Sequence, residues 1–161
     1  MRLVLLRHGD AEAYATTAEG DFKRRLTPEG IERMRAEAAG MRRLGMTFDV
    51  IVTSPLLRAR ETAEIVAETL GLPAPVIDDR LGASFRVGRL QEILADHRQS
   101  EKVLLVGHQP GMSEIIDFVT GGLADVKRGG MAIIDLDRTE AGKGVLLSLL
   151  TPKILIALSS S

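Results

Sequence analysis

Apolar residues in this chain gather into short unbroken runs. LVLL occupies residues 3–6, VIV sits inside FDVIVTSP, VLLV fills 103–106, and AII and VLLSLL follow near the end. Apolar runs of four to eight residues bounded by turn formers fit strands buried in a sheet core. Between them the spacing becomes helical. In LTPEGIERMRAEAAGMRRLG, residues Ile31, Met34, Ala38, Met41 and Leu44 recur on one face. Thr27 is the expected N-cap, Pro28 opens the helix and Gly45 lies past its end. Ser54 and Pro55 start a second helix through LLRARETAEIVAETLG, with Gly71 as its stop. FRVGRLQEILADHR reads as a third, weakened by Gly88, and MSEIIDFVTGG as a fourth, closed by Gly121 and Gly122. Pro73 and Pro75 bracket a turn into a short strand near Val76 and Ile77, and residues 10–25 read as a polar loop. GMAIIDLD and GVLLSLLT form an expected antiparallel pair joined by RTEAGKG.

Strands alternating with helices predict an α/β three-layer sandwich. Its central sheet is mostly parallel, with helices on both faces and an antiparallel edge pair. A chain of 161 residues is expected to form one domain spanning residues 1–161. Trp is absent and Tyr14 is the one tyrosine, so Leu, Ile, Val, Ala and Met must build the core.

Charge narrows the partners. The formal net charge is -1, which gives no general attraction to nucleic acid or anionic lipid, so neither is an expected partner. The chain has no cysteine, which excludes disulfides and thiolate chemistry and fits a cytoplasmic location. The opening apolar run is too short for a signal sequence. VLLSLLTPKILIAL is broken by Pro152 and Lys153 and falls short of the about 20 residues a membrane span needs, so the chain reads as soluble.

In parallel sheets, ligands bind outside the carboxyl ends of the strands. Here one strand ends in Arg7 and His8, another leads to Ser54 and Pro55, and a third ends in Gly107 and His108. Two of the three histidines therefore hold equivalent strand-end places, while His97, in a charged helix, reads as a solvated surface residue. Arg58, four residues past Ser54, can lean back over this edge because helical side chains tilt toward the N-terminus. The plainer reading pairs Arg58 with Glu61 or Glu64 on the surface, a role that suits Arg60 better. Helix N-termini after Ser54 and Gln109 add free N–H groups. Arginines, histidines and helix N-termini together make an anion site, with phosphate the first candidate. No GxxxxGK[ST], GxGxxG or GxSxG motif is present, and no His/Asp/Glu set has metal-ligand spacing; no metal and no cofactor is expected.

LRHGDAE, SPLLRARETA and VGHQPG, in this order and spacing, resemble the histidine phosphatase superfamily. The short chain, the early RHGDA and the KRRLTPEG that follows resemble its SixA-type phosphohistidine phosphatase branch, within a phosphoglycerate mutase-like fold. The resemblance runs from Met1 to LLTPKIL. It implies that His8 is the nucleophile accepting the phosphoryl group, that Arg7 and Arg58 clamp the phosphoryl oxygens, and that His108 donates a hydrogen bond to them. Arg24, with Arg25 adjoining it as the alternative, matches a substrate-binding arginine, and Ser54 is counted with it. The arginines would supply the charge that Mg²⁺ supplies elsewhere.

One position departs from the pattern. Mutase-like members carry a glutamate proton donor two positions after a leucine, and DDRLGASF places Ala83 there if the leucine is Leu81, with Asp78 and Asp79 nearby but offset. The leading expectation is a metal-independent phosphohistidine phosphatase acting on a phosphorylated protein, a histidine phosphotransfer domain among the candidates. The alternatives are a general phosphomonoesterase acting on small phosphorylated substrates, or a phosphate-binding regulatory module with little turnover.

Overall fold

The computed structural model describes residues 1–136 and 143–160. Six strands form one sheet: β1 (Arg2–Arg7), β2 (Val50–Thr53), β3 (Val76–Ile77), β4 (Lys102–Gly107), β5 (Met131–Leu136) and β6 (Gly144–Leu150). Their order is β3-β2-β4-β1-β5-β6. The first four are parallel, β5 runs antiparallel to β1, and β6 antiparallel to β5. This is the expected mostly parallel sheet with an antiparallel edge pair. Most of the expected RTEAGKG connection, residues 138–142, lies outside the described residues.

Alternation along β1 and β4 explains why their apolar runs are unbroken. Leu3, Leu5, Val103 and Leu105 point to one face and Val4, Leu6, Leu104 and Val106 to the other. Each face carries its own core, because helices cover both. On the first face α4 (Leu90–Asp96) and α5 (Gly111–Thr120) contribute Leu90, Ile93, Met112, Ile115 and Ile116. On the second, α2 (Pro28–Arg43), α3 (Leu57–Leu70) and α6 (Pro152–Ser159) contribute Met34, Ala38, Met41, Ala59, Ala63, Val66 and Leu155.

Several local expectations change. The polar segment contains a five-residue helix, α1 (Ala18–Phe22), capped by Thr17, whose hydroxyl accepts from the Gly20 N–H. It buries none of its residues, so it leaves no apolar period in the sequence. The apolar C-terminal stretch divides at Thr151 into β6 and α6, with Pro152 opening the helix. A Cβ on Gly40 would lie 2.0 Å from the Leu155 carbonyl oxygen, so the close passage of α6 over α2 depends on that glycine. The expected helix beginning at Phe85 starts instead as a 3₁₀ turn, Val87–Arg89, before α4. Ser54 does not cap α3: the cap position is Leu56, and the Ser54 Oγ accepts the Leu56 N–H at 3.3 Å in a local turn.

β1 and β4 are neighbours, and α2 and α5, the first core-packing helices after each, pack on opposite faces. Such a switch point opens a crevice at the carboxyl ends of the two strands. Both histidine-bearing strand ends open onto it.

Candidate active site

His8 follows β1 directly, and its backbone N–H donates to the Gly107 carbonyl at 3.0 Å, extending the β1–β4 pairing by one residue. That bond brings the His8 and His108 rings together, 5.1 Å between centroids at an interplanar angle of 52°. Thr62 ties this strand end to α3. Its hydroxyl accepts from the Gly9 N–H at 3.1 Å and donates to the Arg58 carbonyl at 2.8 Å. Thr62 is fully buried and holds the backbones of Gly9 and Arg58 to one another. The sequence signal for it was available: a threonine one turn after Arg58.

The His8 ring is oriented by its own chain. Nδ1 lies 2.7 Å from the Gly9 carbonyl, which can only accept, so Nδ1 carries the proton and Nε2 holds the lone pair. Burial, joined by the charges of Arg58, Arg7 and Arg24, pulls the imidazole down to about 4, although the Gly9 bond favours the protonated form. His8 is therefore neutral at pH 7. Burial also lowers His108, to about 3, with His8, Arg58 and Arg7 adding to it and Asp21 opposing. His108 Nε2 meets the Ser54 Oγ at 2.7 Å, while its Nδ1 is buried with no partner.

Two cations sit beside these rings. Arg7 donates from one terminal nitrogen to the Val126 carbonyl at 3.0 Å, and its Nε is buried and unpartnered. Arg58 is 6% exposed and its Nε is likewise unpartnered. Buried donors are costly when unpaired. Arg7 Nε, Arg58 Nε and His108 Nδ1 thus give the strand ends a shared demand for acceptors, which an oxyanion meets.

Arg58 does not pair with Glu61 or Glu64. Its terminal nitrogens donate to the Asp21 carbonyl at 2.8 Å and to Asp21 Oδ2 at 3.2 Å. Glu61 instead takes Arg25, at 2.8 Å, and the Leu26 N–H. Arg24 is 7% exposed; it donates to Asp21 Oδ1 at 2.8 Å and to the Glu12 carbonyl at 2.9 Å, and lies over the Tyr14 ring. Asp21 was not anticipated, since an acid in a polar loop has no sequence mark of its partners. Arg60 is only half-buried, with a buried Nε that has no partner, so its surface is less open than expected. His97 is the C-cap residue of α4 and is half-buried.

Beyond Arg58 and His108 a cavity of about 290 Å³ opens. Leu56, Leu81, Phe85, Pro110 and Met112 supply apolar wall, and Asp21, Arg86, Gln109 and Glu114 supply polar groups. Ala83 lies in this wall, where the resemblance places a proton donor, whereas Asp78 and Asp79 do not. Asp78 is engaged with Arg80. Among the described residues, no group of three or more His, Asp or Glu side chains is arranged to hold a metal ion. No described helix is long and apolar enough to cross a membrane.

Known proteins resemble this chain in sequence and in fold. A family model described as the histidine phosphatase superfamily (branch 1) matches residues 3–85. An uncharacterised protein of Picosynechococcus sp. is 36% identical, covering 81% of this chain and 82% of that protein. The phosphohistidine phosphatase SixA of Escherichia coli (strain K12) is 27% identical over 89% of each chain. The solved structure of a protein histidine phosphatase SixA complexed with tungstate superposes with a TM-score of 0.85 at 26% identity, covering 96% of this chain and 99% of that one. A chain whose first strand delivers His8 against His108 between two arginines, and whose fold follows that structure nearly end to end, belongs to the histidine phosphatase superfamily, in its SixA-type branch.

Proposed function

We propose that this protein, as a single domain, is a metal-independent phosphohistidine phosphatase acting on a phosphorylated protein through a covalent intermediate on His8. The observation that carries the reading is the His8 ring: neutral at pH 7, proton on Nδ1, lone pair on Nε2. In this reading Nε2 attacks phosphorus in line, forming an N–P bond as the bond to the leaving group breaks. The departing group takes a proton from water. A water molecule then attacks the phosphoryl group, the N–P bond breaks, and inorganic phosphate leaves with His8 neutral again. Arg7 and Arg58 stabilise the equatorial oxygens, and His108 donates from its buried Nδ1. The SixA structure that this fold follows is a complex with tungstate, an oxyanion of similar shape to phosphate, which supports an oxyanion as the ligand.

Phosphohistidine is favoured as the substrate because Ala83 offers no acid to an alkoxide leaving group. An imidazole with a pKa near ~6.5 needs far less help to depart. The protein of Escherichia coli named phosphohistidine phosphatase, similar over 89% of the chain, supports the same class. A general small-molecule phosphomonoesterase is the second reading. Its support is the pair of carboxylates, Asp21 and Glu114, in the wall of the cavity.

Brief incubation with a phosphohistidine protein, followed by a quench, should leave phosphate on His8 that survives alkali and is lost in acid. Turnover of phosphohistidine should exceed that of phosphoglycerate. A His8→Ala protein with normal turnover would overturn the mechanism, and faster hydrolysis of alkyl phosphates would hand the assignment to the second reading.

A further inference from the structure

Resting on the reading of Arg58 as a phosphoryl clamp, the connection between Asp21, Arg24 and Arg58 carries a further step. Two guanidinium groups lie in the site almost out of water, with side chains 8% and 7% exposed. Unscreened like charges in such surroundings repel strongly unless an anion holds them. Asp21 is that anion. It gives Oδ1 to Arg24 and Oδ2 to Arg58, while its carbonyl accepts a second Arg58 N–H. The paired arginines outweigh the opposing effect of burial and hold the Asp21 carboxyl below the usual carboxylate range.

The contact uses one edge of the Arg58 fork and leaves the other. Both terminal nitrogens of Arg58 face Asp21, and Nε remains without a partner. Arg24 in turn has its Nε on Glu12 and a terminal nitrogen on Asp21. The helix that carries Asp21 buries nothing. Among the described residues its remaining side-chain ties are the Thr17 cap and an exposed Lys23–Glu19 pair, so the Asp21 contacts serve the two arginines rather than a core.

We propose that Asp21 is a positioning residue for phosphoryl transfer: it fixes the Arg58 guanidinium with its Nε edge turned to the phosphoryl group, and Arg24 acts on the reaction through Asp21. Arg24 thereby orders the clamp instead of adding a third contact to phosphate. The three side chains form one unit, and removing any link lets the clamp swing.

A double-mutant cycle tests this, because residues that act as a unit lose activity non-additively. Turnover of p-nitrophenyl phosphate and phenyl phosphate is measured for the unmodified protein, Asp21→Ala, Arg24→Ala, Arg58→Ala and the Asp21→Ala combinations with each arginine variant. Asp21→Ala should lower kcat by roughly 10²-fold, the scale of a 1 Å misplacement, with KM changed less than about threefold. The loss should be the same for both leaving groups. In the Arg58→Ala and Arg24→Ala backgrounds, Asp21→Ala should have little further effect. Full additional loss in either background overturns the inference, as does a loss that grows with the basicity of the leaving group, which would make Asp21 a proton donor. An unchanged kcat with tighter phosphate binding overturns it as well, marking Asp21 as a competitor for the clamp. If Asp21→Ala does not give a cooperative thermal melt, Asp21→Asn takes its place in the same cycle, since an amide satisfies only one of the two arginines. His8→Ala runs alongside: activity surviving there strikes the proposed reaction itself, whereas additive losses strike only the role of Asp21.

Discussion

The Ser54 Oγ and His108 Nε2 lie 2.7 Å apart, joining the carboxyl ends of β2 and β4. Ser54 is fully buried, and its oxygen already accepts the Leu56 N–H. Among the described residues, no other acceptor for the hydroxyl proton pairs with Ser54. Donation from Ser54 to Nε2 leaves the ring proton on Nδ1, the atom that is buried without a partner. The serine thus selects the tautomer that makes neutral His108 a donor.

Nitrogen-15 NMR of His108 should therefore show the Nδ1–H tautomer in the free protein. Ser54→Ala should shift the ring toward the other tautomer and lower aryl phosphate turnover by about tenfold, the scale of one hydrogen bond. Finding Nε2–H in the unmodified protein would reverse the direction of the bond and remove the proposed donor role.

The acid limb of kcat/KM should lie far below the ordinary histidine range. The proposed active form of His8 is neutral, and its pKa is lowered from 6.5 to about 4, so activity should persist as pH falls from 6.5 toward 4 and be lost below. Stability moves differently over the same window. The unfolded chain binds protons at both histidines below 6.5 while the folded protein does not, so stability should decline as pH drops from 6.5 through about 4. Rate–pH profiles with an aryl phosphate and thermal melts across pH 3.5–8, roughly the span set by these shifts, check both. An acid limb at 6.5 would contradict a desolvated His8.

Glu37 should oppose folding at alkaline pH. It is 2% exposed on α2, its Oε2 has no partner, and a Cβ on Gly129 would lie 2.2 Å from that oxygen. Burial raises its carboxyl to about 8, with Arg33 working against the shift and Asp10 adding to it. The folded protein keeps this proton above pH 4.5 when the unfolded chain has lost it, so stability falls as pH rises from 4.5 to about 8. Glu37→Gln should raise Tm at pH 8 and leave it unchanged near pH 4.5. Identical melting of the two proteins at both pH values would mean that Glu37 is satisfied as a carboxylate.

Introducing a carboxyl at Ala83 should change which substrates are accepted. Ala83 lies in the cavity wall with Phe85 and Glu114. A positioned general acid contributes about 10²–10⁴ in rate where the leaving group is a basic alkoxide. Ala83→Glu should therefore raise kcat/KM for alkyl phosphates more than for phosphohistidine. Equal effects on both classes would place the side chain outside the path of the leaving group.

Much of the architecture was legible in the sequence, because burial writes itself into patterns of residue type. Unbroken runs such as 3–6 and 103–106 announced strands covered on both faces, and the spacing of Met34, Ala38 and Met41 announced α2. Since parallel strands all end at one edge of a sheet, the residues that end or follow β1, β2 and β4 could be grouped without coordinates: Arg7 and His8, Ser54, and His108. Of the short elements, β3 at Val76–Ile77 was marked by its flanking prolines, but α1 and α6 were not legible. α1 buries nothing, and α6 is a single short helix continuing an apolar run, so neither has a period long enough to read. Individual polar partnerships were less legible still. Arg58 finds Asp21 across 37 positions and Ser54 finds His108 across 54, and no local pattern records such pairs. A hydrogen bond needs its two atoms placed to within a few tenths of an ångström. Hydrophobic burial is non-directional and tolerates exchange among residues of similar size, so it leaves a statistical trace along the chain. The direction of a proton on His108 or the partner of Arg24 leaves none, and only the packed fold decides it.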